Sequence, residues 1–587
     1  MTATPASTSL SSAPGRTDAG RFANKIDMQN RLFAELSRMF GKEVPLYDKS
    51  LLVNQECNKA VCAVLGQLYP GFAMSTEDLD KTSSERHGAI RIGRPDEYRL
   101  IARFFAAFAM EPHNYYDMSN VGAKSQPIVA TAFRSMYRPE HRVFSSLLQT
   151  DYFDPATKAR IEELLATRQV FSAKAKELLE KNERQGGLSW DDANALIREG
   201  TERIFKWTGK ARDFQLYNDL CNSGFKIAAD IACFESHHLN HLTPNTFCMD
   251  LYTAAMKFCL GEWTDATFRS RATVSLTRLA AQADRHWMKL HFKHLSADAI
   301  DAFPHGTLAP SAIATIVDGL ATRLAQADLQ LKSLNHSGFK DFTEGPSEDT
   351  HVLLRQDAYK ALTEPVQFAN SDGTTVDAKH TARFGEIEQR FYATTKKGRE
   401  LYDRCLAAAD AEKDSDPSLI KRDMDAYERM YAKHFAEFPK SLTDLLRSGL
   451  VYGRFHATRA GVAAKGAASN VELWALVAAG HVAFEGLRYE DFLPVSAAGI
   501  FASNLNQYGT KSTAAVKPTY TQAMLESVIG KSIVDADTVY RAMEAESLLE
   551  TYRDLGLLDR VPSATRSEWE ASVAAGRAQE AGRAARG

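Results

Sequence analysis

Two carboxylates and an arginine stand inside a segment that has the aromatic flanks of a buried strand, Phe384-Gly385-Glu386-Ile387-Glu388-Gln389-Arg390, followed by Phe391 and Tyr392. Charged groups in such a strand cost several kcal/mol unless something compensates them, and a metal ion is the candidate their chemistry suggests. On a pleated strand Glu386 and Glu388 share one side, so periodicity alone does not choose between them.

Histidines able to join a carboxylate at a metal occur in two other places. In Glu85-Arg86-His87-Gly88-Ala89-Ile90-Arg91 an extended backbone puts residues 87, 89 and 91 on one face, and a helix would pair His87 with Arg91 at i, i+4. Either backbone delivers an imidazole and a guanidinium to one place, and Gly88 admits a ligand or another backbone. Glu235-Ser236-His237-His238-Leu239-Asn240-His241-Leu242-Thr243-Pro244 is the densest histidine cluster in the chain. A third group, His286, His291 and His294, lies beside Lys289 and Lys293 and reads as the hydrated face of a helix. Two histidines and one carboxylate on one face of Fe(II) leave three open positions, enough for a bidentate 2-oxo acid and O2 together. Against this, a histidine is ordinarily structural or solvated, a pair of strand glutamates is as often an exposed face, and an arginine such as Arg91 is ordinarily a surface ion-pair residue.

The elements that must position these groups are mixed. Helical spacing runs through Ile26 to Gln67, from Pro95 to about Met110, over 156 to 207, and from Phe214 to Phe234. Two more helical stretches flank the Pro304, Gly306 and Pro310 break within 265 to 340, which reads as an insertion. Short strands follow at Val352–Gln356 and Val366–Phe368, broken by Pro365, then a turn at Asn370-Ser371-Asp372-Gly373 and the strand from Ala382 to Thr394. Helix resumes after Gly398. The segment Asp491 to Phe501 is rich in small residues suited to a pocket wall.

Composition excludes several classes of protein. A formal charge of -3 offers no basic field for nucleic acid or anionic lipid, and 44% hydrophobic with 25% charged residues is the balance of a globular protein. The longest apolar run, near Leu100 to Met110, is too short for a membrane span and contains Arg103. Seven cysteines without a Cys-x-x-Cys pair suggest neither a disulfide framework nor a zinc ribbon, which fits a reducing, cytoplasmic location. Residues 1–22 read as a disordered arm, with a mitochondrial transit peptide as the alternative, and residues 571–587 as a frayed tail. Between them 23–570 is expected to form a single catalytic body.

Five ordered blocks, Glu85 to Arg91, Asn240 to Pro244, Leu353 to Val366, Phe384 to Arg390 and Leu493 to Phe501, together resemble the 2-oxoadipate dioxygenase/decarboxylase family, also called D-2-hydroxyglutarate synthase. The resemblance implies an α+β fold in which a curled mixed β-sheet of vicinal-oxygen-chelate type surrounds a metal and many helices wrap the sheet. It implies Fe(II) held by His87, His241 and Glu386, with His238 the fallback for the second position. It further implies that Arg91, His87 and Val495 contact the substrate, while Glu388, Gln389, Arg390 and Ser496 brace the site. The expected reaction takes a 2-oxo diacid, 2-oxoadipate of lysine breakdown, with O2 to 2-hydroxyglutarate and CO2; a non-oxidative metal lyase or hydrolase is the alternative. Two departures from the family pattern stand out: a long stretch between Asp250 and His351, and Phe391 where a small residue is expected.

Overall fold

The protein's computed structural model describes residues 22–121, 125–137, 139–466, 470–493 and 511–584. Helices make up most of it, and the strands form small mixed sheets. In chain order the strands are β1 (Arg86–Ile92), β2 (Glu111–Asp117), β3 (Ile128–Arg134), β4 (His141–Leu148), β5 (Lys210–Arg212), β6 (His241–Pro244), β7 (Leu354–Tyr359), β8 (Thr363–Ala369), β9 (Thr375–Thr381), β10 (Gly385–Arg390), β11 (Gly453–Ala457) and β12 (Val482–Gly486). The segment around His87 is therefore a strand, as its position before the Pro95 helix start suggests.

Five strands pair in the order β2-β3-β4-β1-β6, with β1 parallel to β4 and antiparallel to β6. β7 and β10 form a separate antiparallel pair. Backbone bonds carry the curve from one to the other: Phe384 N–H donates to Asn240 C=O at 3.1 Å, and Thr246 N–H to Glu388 C=O at 2.8 Å. The described strands thus curl around a centre between β1, β6 and β10 without closing a barrel. β1 and β10 are buried along almost their whole length, so both of their faces are covered and neither shows an alternating pattern.

The glycines in the two site strands answer to close approach. A Cβ on Gly88 would sit 3.4 Å from His241 O, so another backbone takes the space there. A Cβ on Gly385 would fall 2.0 Å from the Tyr359 ring, across the β7/β10 pair.

Helices wrap the sheet on a continuous apolar core that runs from Met28 through Phe384 to Ile533. A second core, with Tyr402, Phe435, Leu445, Phe484 and Tyr552, lies under the later helices. No helix among the described residues is long and apolar enough to cross a membrane.

Several expectations need correction. β8 runs straight through Pro365, because at that position it pairs only with β9; β5 joins it only from Gln367 onward, so the missing N–H breaks no ladder. The tail expected to fray is helix Ser563–Ala584, packed along helix Ala536–Asp554, with Arg577 paired to Glu546 and Tyr137 OH donating to Glu580. Its small residues, which looked like a frayed composition, permit close packing: Gly576 stands where a Cβ would meet Ala542 at 2.4 Å. Of the three histidines expected on a hydrated face, His294 is exposed, but His291 is buried and His286 is half-buried. His291 is 3% exposed between Trp287 and Phe391, and His286 stacks on Phe484. Burial pushes the pKa of both down. The bulk of Phe391 is absorbed there too, stacked on His351 at 4.9 Å. Apart from Phe22, the N-terminal arm lies outside the described residues, as do Val495 and Ser496.

Candidate metal centre

Register brings the first two donors together. In the β1/β6 pair His87 stands opposite Thr243 and Ala89 opposite His241. Directly opposed residues share a face, so His87 and His241 are diagonal neighbours on one surface. Their rings meet edge to face with centroids 5.3 Å apart. β10 lies alongside β6 and supplies the carboxylate: Glu386 Oε2 is 3.3 Å from His87 Nε2 and 3.4 Å from His241 Nε2. Thr243 Oγ1 donates to the same oxygen at 3.2 Å. One ligand atom from each of His87, His241 and Glu386 lies within 4.8 Å of the others, and among the described residues no other His/Cys/Asp/Glu group meets that condition.

These donors are buried, and several of their atoms are left without partners. Exposure is 0% for His87 and His241 and 4% for Glu386. Both ring nitrogens of His241, and Glu386 Oε1, have no hydrogen-bond partner. Unpartnered polar atoms this deep are costly, and their convergence is what a divalent ion would satisfy. Two imidazoles and one carboxylate are also the donor set that suits non-haem iron. The residues present therefore fit such an ion.

The neighbours of the second carboxylate set it apart from Glu386. Glu388 Oε2 lies 2.8 Å from His87 Nδ1, at ion-pair range though off the line of an aligned hydrogen bond. Arg390 holds Glu388 with two parallel contacts, Nε to Oε1 at 2.8 Å and Nη2 to Oε2 at 3.0 Å. Arg390 Nη1 then donates to the carbonyls of Tyr489 and Asp491, and Phe492 packs on both Arg390 and His87. Glu388 and Arg390 thus brace the back of His87. Gln389 points to the opposite side of the strand, donating to Phe247 C=O and accepting from Met249 N–H, which fixes the chain after β6.

The electrostatics follow the contacts. Burial pushes the His241 pKa down to about 4, so its ring is neutral at neutral pH. Burial opposes charge on His87 as well, but the facing carboxylates of Glu388 and Glu386 outweigh it and raise its pKa. Burial would raise Glu388, yet Arg390 and His87 hold it far below the usual carboxylate range. Glu386 is lowered against its burial by His241 and His87.

Arg91 lies on the same face of β1 as His87, and its Nη1 donates to Asp230 Oδ2 at 2.7 Å. His238 is not in the triad; its Nε2 lies 3.2 Å from Asp230 Oδ1. Asp230, Thr243 and His380 are the neighbours without a role in the sequence analysis, while Phe492 belongs to the segment read there as a pocket wall. Thr243 alone had a local signal, its alternation with His241; Asp230 sits on a helix 139 residues from Arg91 and had none.

A mixed α/β fold with a buried centre of two histidines and one carboxylate is the class these observations define. Comparison with known proteins identifies the family. The model of the 2-oxoadipate dioxygenase/decarboxylase family matches residues 32–259 and 287–504, and the chain belongs to that family. It is 32% identical to the 2-oxoadipate dioxygenase/decarboxylase of Pseudomonas putida over 551 residues, 92% of this chain and 99% of that one. It is 30% identical to the Escherichia coli protein of the same description over 538 residues, 89% and 98% of the two chains. The crystal structure of the hydroxyglutarate synthase from Pseudomonas putida in complex with 2-oxoadipate superposes with a TM-score of 0.64 at 31% identity, covering 92% of this chain and all of that one.

Proposed function

We propose that this chain is an Fe(II)-dependent dioxygenase that decarboxylates 2-oxoadipate and hydroxylates the remainder to 2-hydroxyglutarate. The observation that carries the reading is the convergence of His87, His241 and Glu386 on one buried point, with the His241 ring nitrogens and Glu386 Oε1 unpartnered. The printed descriptions of the relatives, and the 2-oxoadipate in the Pseudomonas putida structure, support the substrate. The curl of strands around that point supports a vicinal-oxygen-chelate type of core.

His87 Nε2, His241 and Glu386 would hold the iron, which when bound supplies chelation of a 2-oxo acid and activation of O2. The reaction balances as one six-carbon oxo diacid plus O2 giving one five-carbon hydroxy diacid plus CO2. Glu388 Oε2, 2.8 Å from His87 Nδ1, would favour the proton on that nitrogen and leave Nε2 to a metal. Phe384 against His241 and Phe492 against His87 exclude water, which strengthens every charge interaction inside. Arg91 binds a substrate carboxylate, a planar two-donor contact that lysine reproduces poorly. The family resemblance gives Val495 a substrate contact and Ser496 a supporting role; both lie outside the described residues.

An oxygen-electrode trace with Fe(II) and 2-oxoadipate tests the reading. The expected result is O2 uptake matched by CO2 release, with about one iron per chain. Product formed without O2, or no uptake by iron-loaded protein, would refute it.

A further inference from the structure

One buried carboxylate beside the centre takes no part in holding a metal. Asp230, on helix Lys226–Cys233, is 2% exposed, and both of its oxygens are engaged. Oδ2 accepts from Arg91 Nη1 at 2.7 Å and from Asn240 Nδ2 at 3.3 Å. Oδ1 lies 3.1 Å from His380 Nε2 and 3.2 Å from His238 Nε2. His380 is fixed in turn by Tyr217 OH on its Nδ1 at 2.9 Å, and Trp207 packs against both histidines. The aspartate therefore joins a helix, β1, the approach to β6 and the end of β9.

We propose that Asp230 is a positioning residue for substrate binding, holding the Arg91 guanidinium in the place from which it receives a substrate carboxylate. The inference rests on the role given to Arg91 above. A buried guanidinium needs a fixed counter-charge, and a carboxylate gripped by four groups cannot swing away with its partner. Tethered through Nη1, Arg91 has lost most of its rotamer freedom before any ligand arrives, so its ordering does not weaken binding. Arg91 is also four residues from His87 on one face of β1, about 13 Å along the strand. Holding the guanidinium fixes its distance from the metal centre, and that distance selects among diacids by chain length. His238 and His380 serve this anchor rather than the metal.

The test is a double-mutant cycle on the iron-loaded enzyme, read as KM, kcat and iron per chain with 2-oxoadipate. Asp230→Asn keeps the volume and removes the charge. It is expected to raise KM at least tenfold, with kcat within threefold of wild type and iron unchanged. In an Arg91→Gln background the same substitution should change KM less than twofold, because it acts through Arg91. His380→Gln, which removes one group from the anchor, should raise KM three- to tenfold and carries the test if Asp230→Asn does not fold. An unchanged KM in the single variants, the full effect persisting in the Arg91→Gln background, or a loss confined to kcat and iron would each overturn the proposal. Failure of the wild-type enzyme to consume O2 with 2-oxoadipate would instead refute the reaction assigned above.

Discussion

Two buried clusters with the same composition, two histidines and a carboxylate, are joined by the short chain from His238 to His241. In the first, His87, His241 and Glu386 point ligand atoms at one spot and leave several of them unpartnered. In the second, His238 and His380 meet Asp230 Oδ1 while Arg91 and Asn240 take Oδ2, so both carboxylate oxygens are engaged within the protein. The charge partner makes the difference. Arg91 offsets Asp230 within the protein, whereas among the described residues no arginine or lysine is paired with Glu386, whose contacts are His87, His241 and Thr243, and its buried charge suits a metal. Composition thus does not distinguish the two clusters; what does is that unpartnered ligand atoms converge in the first, whereas the unpartnered rings of His237 and His291 stand outside any such group among the described residues.

The comparison can be broken most directly by removing one carboxylate at a time. Glu386→Ala should abolish stoichiometric iron and lower O2 uptake by more than ~100-fold, beyond the range for groups that only orient ligands. His380→Ala in the second cluster should retain iron. Metal analysis of the two purified variants decides, and iron retained in the first or lost only in the second would reverse the assignment.

Binding should also register as stability. Fe(II) at about 100 times its dissociation constant should stabilise the wild type by ~2.7 kcal/mol, seen as a rise in melting temperature that a chelator reverses. The rise should vanish in Glu386→Ala and persist in His380→Ala. Glu388→Gln leaves all three donors but loosens the grip on His87 Nδ1, and a fall of about 10- to 100-fold in iron affinity is expected by titration. Smallest in its effect on chemistry, Gly385→Ala drives a methyl into the Tyr359 ring and should cost about 1–3 kcal/mol in denaturant unfolding.

Much of the site could be read from the chain. The charged strand, the one-face relation of His87 and Arg91, the hairpin turn at Asn370 to Gly373 and the start of a helix at Pro95 all follow from local rules. The errors have a common origin. Sequence neighbours mislead for His291 and the helix from Ser563, which sit in a lysine-rich stretch and an alanine-rich tail, while their environments are aromatic rings and the packed face of the preceding helix. Pro365 was judged as though its strand had partners on both sides at that point.

The sequence by itself determined which donors exist and which residues share a strand face, because a two-residue pleat is a local property. It also carried the family. Only the tertiary structure decided that Glu388 turns to His87 Nδ1 and Arg390 while Glu386 faces the two imidazoles. It set His238, the fallback, apart from the cluster that contains His241, and it alone gave Arg91 its counter-ion on a distant helix. Those choices depend on strand register and on which elements lie side by side, and pairing between segments more than a hundred residues apart leaves no mark in the local pattern of either one.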